Sequence, residues 1–303
     1  MNEHAPNPEM ILDHESRDSH AEALEFGRAY TGLLDWAIRG GERPRFDHAP
    51  ERVHAMLTRY LDAIEKEARL LADHDPKASL TKLIESRGQD VRSFRGNVKL
   101  TGTAVGVAIA EMPAGLLKRL AADGRAAAYL PKKEAPLILL ARYGRPELDE
   151  HERRENLPHE MQHVLWRWGS KAIAKNTESN ALVAHGFQMY QDELLARAVS
   201  GGALFGYTHL RGVSQEELAA TLGHDPDAKQ MVETVAALNE RWRDVETNLN
   251  GRNVNQIKHE LLFDIMQAGN FQDLLNLAER TRSRYPALPN PSSDDAMAGW
   301  AAL

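Results

Sequence analysis

The sequence predicts a predominantly helical α+β protein with one small sheet near the middle of the chain. Three observations favour this fold class. Apolar residues recur with helical spacing through the first and last thirds of the 303 residues, whereas a middle stretch alternates in polarity and a second one is continuously apolar. Clusters of Gly and Pro separate these segments. With 42% hydrophobic residues, the chain is long enough to bury a sizeable core.

The first third of the chain is expected to be helical behind a flexible tail. Residues 1–20 are polar, acidic and without periodicity, and so predict that tail. Leu24, Leu33 and Trp36 share one stripe of a helix that Gly40 ends. The helices predicted here cover residues 21–39, 51–73 and 78–86. Together they form a helical N-terminal region over residues 21–90.

The sheet is predicted from the middle of the chain. Alternating polarity with many Val, Thr and Gly residues indicates one or two strands with turns at Gly96 and Gly102. A continuous apolar run is the clearest strand, and Gly144 ends it. Pro113 is suited to the first turn of an intervening helix. The main strands lie within residues 91–110 and 135–143, a short strand within 126–131 and the helix over 113–122.

Two helices are predicted directly after the sheet. In the first, Asn156 is a suitable N-cap that places Pro158 in a first turn, where its missing N–H costs little. Gly169 is a natural stop for this helix. The predicted ranges are 147–168, interrupted at Pro158, and 177–199.

The final third of the chain is helical again. A capping box at residues 214–217 opens a helix that ends near Leu222. Further amphipathic helices cover residues 227–248, 253–267 and 271–284. Residues 213–285 therefore form a predicted C-terminal helical bundle, and the Pro-, Ser- and Asp-rich residues 286–303 form a second flexible tail.

Composition excludes several functional classes. The chain has no cysteine, which rules out disulfides, thiol catalysis and thiolate metal sites. A formal charge of −7 argues against a nucleic-acid binder, so no direct nucleic-acid partner is expected. The sequence contains no run of about 18 apolar residues, so no membrane span is predicted. The polar start resembles no secretory signal and predicts a cytoplasmic protein, with export by a signal-peptide-independent route left open. The oligomeric state is open.

One segment of the predicted helix at residues 147–168 carries a chemical motif. Residues 159–166 read HEMQHVLW and contain the pattern H-E-x-x-H. Residues four apart on a helix lie on the same face, so the imidazoles of His159 and His163 can converge on one metal ion. Zinc lowers the pKa of a bound water toward about 7, and Glu160 lies beside the first ligand, where it can take the proton. The alternative is a surface helix with two unrelated histidines.

A third protein ligand is required, because catalytic zinc usually has three. Residues 190–198, YQDELLARA, place Glu193 30 residues after His163. HEMQHVLW followed by YQDELLARA resembles the gluzincin-type zinc metallopeptidases, and is nearest in motif to plasmid antirestriction metallopeptidases and to peptidase domains of phages and mobile elements. This resemblance covers about residues 155–200.

The resemblance implies a zincin-like metallopeptidase core over residues 91–212. It implies Zn²⁺ held by His159, His163 and Glu193, with Glu160 as the general base that hydrolyses peptide bonds of a protein or peptide substrate. Glu178, in another E-x-x-A pattern, and His185 are alternative third ligands.

The chain departs from the thermolysin-type pattern at Arg197, where those enzymes have an Asp that orients the first histidine. Asp192 or a backbone carbonyl would have to take that role here.

Two further expectations concern catalysis and substrate binding. Tyr207 and His209, in a Gly-rich loop, are the predicted donors to the oxyanion that forms in the transition state. Zincins bind the substrate backbone along an edge strand, which is expected within residues 97–109, since the apolar run at 135–143 favours a central strand. Two other functions stay open: a regulatory or antirestriction binding module with a structural metal, and an exported effector peptidase.

Overall fold

The computed structural model describes residues 8–121, 126–200, 226–249, 252 and 254–286, with side chains from residue 20 onward. The helices are α1 (Pro8–Arg39), α2 (Glu51–Leu71), α3 (Pro76–Ser86), α4 (Ala114–Leu120), α5 (Pro146–Ile173), α6 (Ala181–Val199), α7 (Pro226–Leu249), α8 (Val254–Gln267) and α9 (Phe271–Arg284). The strands are β1 (Lys99–Gly102), β2 (Ala108–Pro113), β3 (Ala127–Tyr129) and β4 (Leu137–Arg142). None of the described helices combines the length and the apolarity that a membrane crossing needs.

The predicted α+β architecture is confirmed: the described chain is mostly helical and contains a four-stranded mixed sheet. The strand order is β1-β2-β4-β3, in which β2 and β4 are parallel and each edge strand is antiparallel to its neighbour. The apolar run at residues 135–143 forms the inner strand β4, as its continuous hydrophobicity indicates. Residues 97–109 are divided between the edge strand β1 and the start of β2. The short candidate at 126–131 forms the other edge, β3.

Helices cover both faces of the sheet. On one face Ile109, Ile138 and Leu140 belong to the main apolar core, which includes the buried face of α5. On the other face Leu137 and Leu139 pack in a second cluster with residues of α3 and α4. The alternation of side chains along each strand produces this two-sided burial. The sheet therefore lies between α5 on one side and α3 with α4 on the other.

The main core joins helices from the whole described chain. Buried side chains from the beginning, middle and end of the chain form one cluster, represented by Phe26 (α1), Leu57 (α2), Leu165 (α5), Phe187 (α6), Trp242 (α7), Ile265 (α8) and Leu274 (α9). Residues from the three predicted regions, 21–90, 91–212 and 213–285, thus contribute to the same core. The helix that carries the H-E-x-x-H motif lies within it.

Several predicted helix boundaries are wrong, among them the start of the helix predicted at residue 177, which begins at Ala181. The first helix begins at Pro8 rather than at residue 21, so much of the predicted tail is helical. Helix α5 runs without interruption from Pro146 through Pro158 to Ile173. Asn156 does not cap a new helix, because its side-chain amide donates a hydrogen bond to Glu152 one turn earlier, at 2.8 Å. The predicted helix at 214–222 and the tail from residue 287 lie outside the described residues.

Gly169 does not end α5 but permits a close helix contact. A Cβ atom at this position would overlap the aromatic ring of Tyr60 on α2. Tyr60 is fully buried and its hydroxyl lies 3.2 Å from the hydroxyl of Tyr30 on α1. The glycine therefore lets a large side chain pack directly on the backbone of the motif helix.

Candidate metal centre

The two histidines of the motif point toward each other. Their Nε2 atoms are 3.3 Å apart, and their rings stand nearly perpendicular. Both side chains are about one-fifth exposed, so they lie in a partly open site. The helical spacing of four residues accounts for this arrangement.

Helix α6 supplies the third predicted ligand. Glu193 Oε2 lies 3.5 Å from His163 Nε2, and Glu193 Oε1 lies 3.9 Å from His159 Nε2. Ligand atoms of the three residues all lie within 4.8 Å of one another. A tetrahedral ion with ligand bonds of 2.0–2.1 Å needs neighbouring ligand atoms about 3.3 Å apart. The cluster of His159, His163 and Glu193 could therefore hold a metal ion after small side-chain adjustments.

The pairing of α5 with α6 has clear local causes. Met161, Val164 and Leu165 form an apolar face of α5, and all are fully buried. Asn180 begins α6, because its side-chain oxygen accepts hydrogen bonds from the amides of residues 182 and 183. On α6, Leu194 is fully buried while the neighbouring Glu193 reaches the histidines.

Each histidine has a partner that orients its ring. His163 Nδ1 lies 3.0 Å from Asp192 Oδ2, a carboxylate–histidine pair of the kind that supports metal ligands. The backbone of Ala196 lies close enough to His159 to raise the pKa of its imidazole, against the larger effects that lower it. The two groups that the sequence suggested as orienting partners are thus both present, but Asp192 contacts the second histidine rather than the first.

Burial and neighbouring charges shift the pKa values of the two histidines and of the carboxyl groups beside them. Burial lowers the pKa of His163, but Asp192, Glu160 and Glu193 together raise it to about 10. Burial and the adjacent His163 lower the pKa of His159 to about 4. For Glu193, burial raises the pKa, but the histidines and Arg197 lower it overall. Burial raises the pKa of Asp192, against the opposing effect of His163. The raised pKa of His163 shows that the surrounding carboxylates favour a positive charge at this position.

Arg197 occupies a position that sequence reasoning marked only as a departure from the thermolysin-type pattern. Its Nε donates a hydrogen bond to Glu193 Oε1 at 2.9 Å, one helical turn away. The other carboxylate oxygen of Glu193 faces His163. Arg197 thus holds the orientation of the carboxylate and shares its charge.

Glu160 is buried, with 7% of its surface exposed, and its charge contributes to the raised pKa of His163. It therefore lies within electrostatic reach of the ligand cluster.

The alternative ligands do not join the cluster. Glu178 Oε1 accepts a hydrogen bond from the backbone amide of Phe271 at 3.1 Å, and so supports the start of α9. His185 is exposed on α6. Tyr207 and His209 lie outside the described residues.

Sequence reasoning missed a buried polar contact behind the motif. Gln162 is completely buried, and its side-chain oxygen accepts a hydrogen bond of 2.5 Å from the hydroxyl of Tyr30 on α1. Its position between the two histidines in sequence was visible. Its partner could not be recognised, because it lies 132 residues away in the chain.

Comparisons of the chain with protein-family models, with curated proteins and with solved structures found no match.

Proposed function

We propose that this protein is a zinc-dependent metallopeptidase of the gluzincin type. The convergence of His159, His163 and Glu193 beside the buried Glu160 carries this proposal. The donor set of two imidazole nitrogens and one carboxylate oxygen is one that catalytic zinc sites use.

The number of ligands supports a catalytic rather than a structural site. Within the described residues, the candidate cluster contains three metal-binding side chains. Structural zinc sites are usually closed by four protein ligands, whereas catalytic sites keep one position open for water or substrate. The partial exposure of both histidines is compatible with such an open position.

In the proposed mechanism, residues of α5 and α6 have different roles. A bound Zn²⁺ would supply Lewis-acid polarisation of the scissile carbonyl and of the attacking water. Glu160 accepts the proton of the attacking water and delivers it to the leaving amine. Asp192 keeps the ring of His163 in place, and Arg197 keeps the carboxylate of Glu193 turned toward the histidines.

The sheet offers an edge for an extended peptide. Within the described residues, strand β3 is an edge of the sheet, and it packs against α5, the motif helix. We propose substrate docking by strand addition on β3, because β3 packs against the motif helix. Strand β1, within residues 97–109, forms the other edge of the sheet, beyond β2. An edge strand that contacts the motif helix can pair with an extended peptide backbone.

The proposal is tested with three purified variants and the wild type. We expect the wild type and Glu160→Gln to bind one zinc per chain by elemental analysis, and His163→Ala to lose it. Glu160→Gln should lose at least about 10³-fold in hydrolysis of a fluorogenic casein substrate, because the proton acceptor is gone. Glu178→Gln is the control: it alters the competing carboxylate and should keep both properties.

Two results would refute the proposal. A Glu160→Gln variant that cleaves as well as the wild type would exclude the mechanism. A folded wild type that binds no zinc when the metal is supplied would exclude the site itself. Zinc binding without hydrolysis of any peptide in a degenerate library would favour a regulatory module with a structural metal.

A further inference from the structure

Charge is strongly segregated along this acidic chain. Residues 76–145 contain 13 Lys and Arg residues but only five Asp and Glu residues, a formal charge of +8. Since the whole chain has a charge of −7, the remaining residues carry −15. The basic segment comprises α3, the whole sheet and α4. The average over the chain conceals this separation.

The positive charges lie on one structural layer. Helices α3 and α4 cover the sheet face opposite α5 and have their own apolar cluster, which includes Leu83, Phe94 and Leu117. Their outward sides and the adjoining loops therefore face away from the helical core. We call the exposed cations of this segment, apart from Lys99 on the α5 side of β1, the basic layer: Lys77, Lys82, Arg87, Arg92, Arg95, Lys118, Arg119, Lys132, Lys133 and Arg145.

Most of these charges are not neutralised by neighbours. Among the described residues, Lys82 is the member of the basic layer that forms an ion pair, with Glu134 at 2.7 Å. Cations elsewhere on the surface commonly have carboxylate partners, as Arg43 has in Asp62 and Glu65. Unpaired surface cations repel one another, so the basic layer produces a positive potential that an anionic partner can satisfy.

Two hydrogen bonds show how parts of the basic layer adjoin. The Lys82–Glu134 contact ties α3 to the loop that carries Lys132 and Lys133. The guanidinium of Arg142 donates to the backbone oxygen of Asn97 at 3.2 Å, which ties the end of β4 to the turn before β1. Arg95 and Arg145 are therefore brought to the same end of the sheet.

An exposed aromatic side chain lies at that end. Tyr143 follows β4 and is 47% exposed. Its neighbours in sequence are Arg142 and, two residues later, Arg145. An exposed ring flanked in sequence by two arginines is a surface on which a nucleic-acid base can stack while the cations contact phosphates, although the carboxylates of Asp149 and Glu152 also lie near Tyr143.

We propose that the basic layer binds a nucleic acid, with Arg and Lys side chains on the phosphates and Tyr143 against a base. An anionic membrane is a poorer fit, because Tyr143 is the large exposed apolar side chain among the described residues of this layer, and surface insertion needs several. The acidic first turn of α5, with Glu147 and Asp149, borders the layer and limits its extent.

This surface is separate from the candidate metal centre. Arg145 precedes α5 and His159 follows it by 14 residues, which is about 20 Å along a helix. The inference therefore does not depend on the proposed peptidase function.

The test is fluorescence anisotropy of a fluorescein-labelled 20-nucleotide single strand of mixed sequence, titrated with the full-length protein at 50–200 mM salt. We expect binding that weakens steeply with salt, with a log–log slope of about −3 for about four phosphate contacts. The double variant Arg95→Glu/Arg145→Glu should weaken binding at least tenfold and reduce the slope. Lys132→Glu/Lys133→Glu is a second, independent test, and Tyr143→Ala should weaken binding without changing the slope.

The matched control is Arg59→Glu/Lys66→Glu. It makes the same charge change at two exposed positions of α2, outside the basic layer, and should retain binding within about threefold. Circular dichroism melting verifies that each variant is folded.

The proposal would be overturned if the wild type did not bind the single strand at 50 mM salt, or if both basic-layer variants bound it as tightly as the wild type. It would also be overturned if the control variant lost as much affinity as the basic-layer variants. A further contrary result is salt-sensitive self-association of the protein, without nucleic-acid binding, that the basic-layer variants abolish. The last result would assign the layer to a second, acidic copy of the chain. Binding only to phosphatidylserine vesicles would assign it to a membrane.

Discussion

At the scale of single residues, the candidate metal centre depends on how its ligands are held. His163 is oriented by Asp192, and Glu193 is oriented by Arg197. Neither partner is one of the three candidate ligands. Both lie on α6 within one turn of Glu193, so a single helix supplies one ligand and both side-chain supports. Partners of this kind commonly change metal affinity without abolishing binding.

Asp192→Asn should therefore weaken zinc affinity by about 10–100-fold while leaving the fold intact. The amide keeps the shape of the carboxylate but loses the negative charge that faces His163 Nδ1 at 3.0 Å. Competition with a chromophoric zinc chelator measures the effect. Asp35→Asn, which changes an exposed carboxylate paired with Arg39, is the control. Unchanged affinity in Asp192→Asn would show that the pair does not support a metal ligand.

At the scale of secondary-structure elements, the motif helix is positioned by close contacts with its neighbours. The ring of Tyr60 packs on Gly169 of α5, and the hydroxyl of Tyr30 binds the side chain of Gln162 between the two histidines in sequence. Helices α1 and α2 thus contact the buried side of α5. Helix α6 packs beside the two histidines and supplies Glu193.

Gly169→Ala should destabilise the protein by about 1–3 kcal/mol, because the added methyl group would overlap a buried aromatic ring. The matched control is Gly32→Ala on α1. A Cβ atom there meets nothing within 4 Å, so this change should stabilise the protein by about 0.5–1 kcal/mol through helix propensity. Urea unfolding measures both. A Gly169→Ala protein as stable as Gly32→Ala would contradict the close approach of α2 and α5.

At the scale of the whole molecule, one core connects the first helix to the last. Its buried side chains come from α1, α2 and α5 to α9 as well as from the sheet. The outer layer of α3 and α4 shares β2 and β4 with that core. The acidic and basic surfaces therefore belong to one structural unit with a continuous interior, and not to separate units that are joined only by a linker.

We expect urea unfolding to show coincident transitions by tryptophan fluorescence and by far-ultraviolet circular dichroism. Trp36, Trp166 and Trp242 report on α1, α5 and α7, which contribute to the same core, whereas circular dichroism reports on all helices. A separate early transition at Trp36, isolated by replacing the other tryptophans with Phe, would show that the N-terminal helices unfold independently.

Much of the secondary structure and the two-histidine arrangement could be read from local patterns. Helical periodicity, strand alternation and the apolar run of β4 depend on residues close together in the chain. The convergence of His159 and His163 follows from a spacing of four residues on a helix, since helix geometry alone places both rings on one face. Two local signals were misleading: Asn156 resembles a helix start but bonds to Glu152 one turn earlier, and Gly169 resembles a helix end but accommodates Tyr60 of the distant helix α2.

The remaining features depend on which elements meet, and local patterns do not contain that information. Glu178 and Glu193 both fit the E-x-x-A pattern, but packing of α6 against α5 brings only Glu193 to the histidines, while Glu178 supports α9. The position of β3 as the edge beside the motif helix arises in the same way, whereas the surplus of cations in residues 76–145 is visible in the sequence and only its placement relative to the sheet depends on the fold. Short-range sterics and hydrogen bonding select helices and strands, whereas burial of apolar faces between distant segments selects the neighbours of each functional side chain.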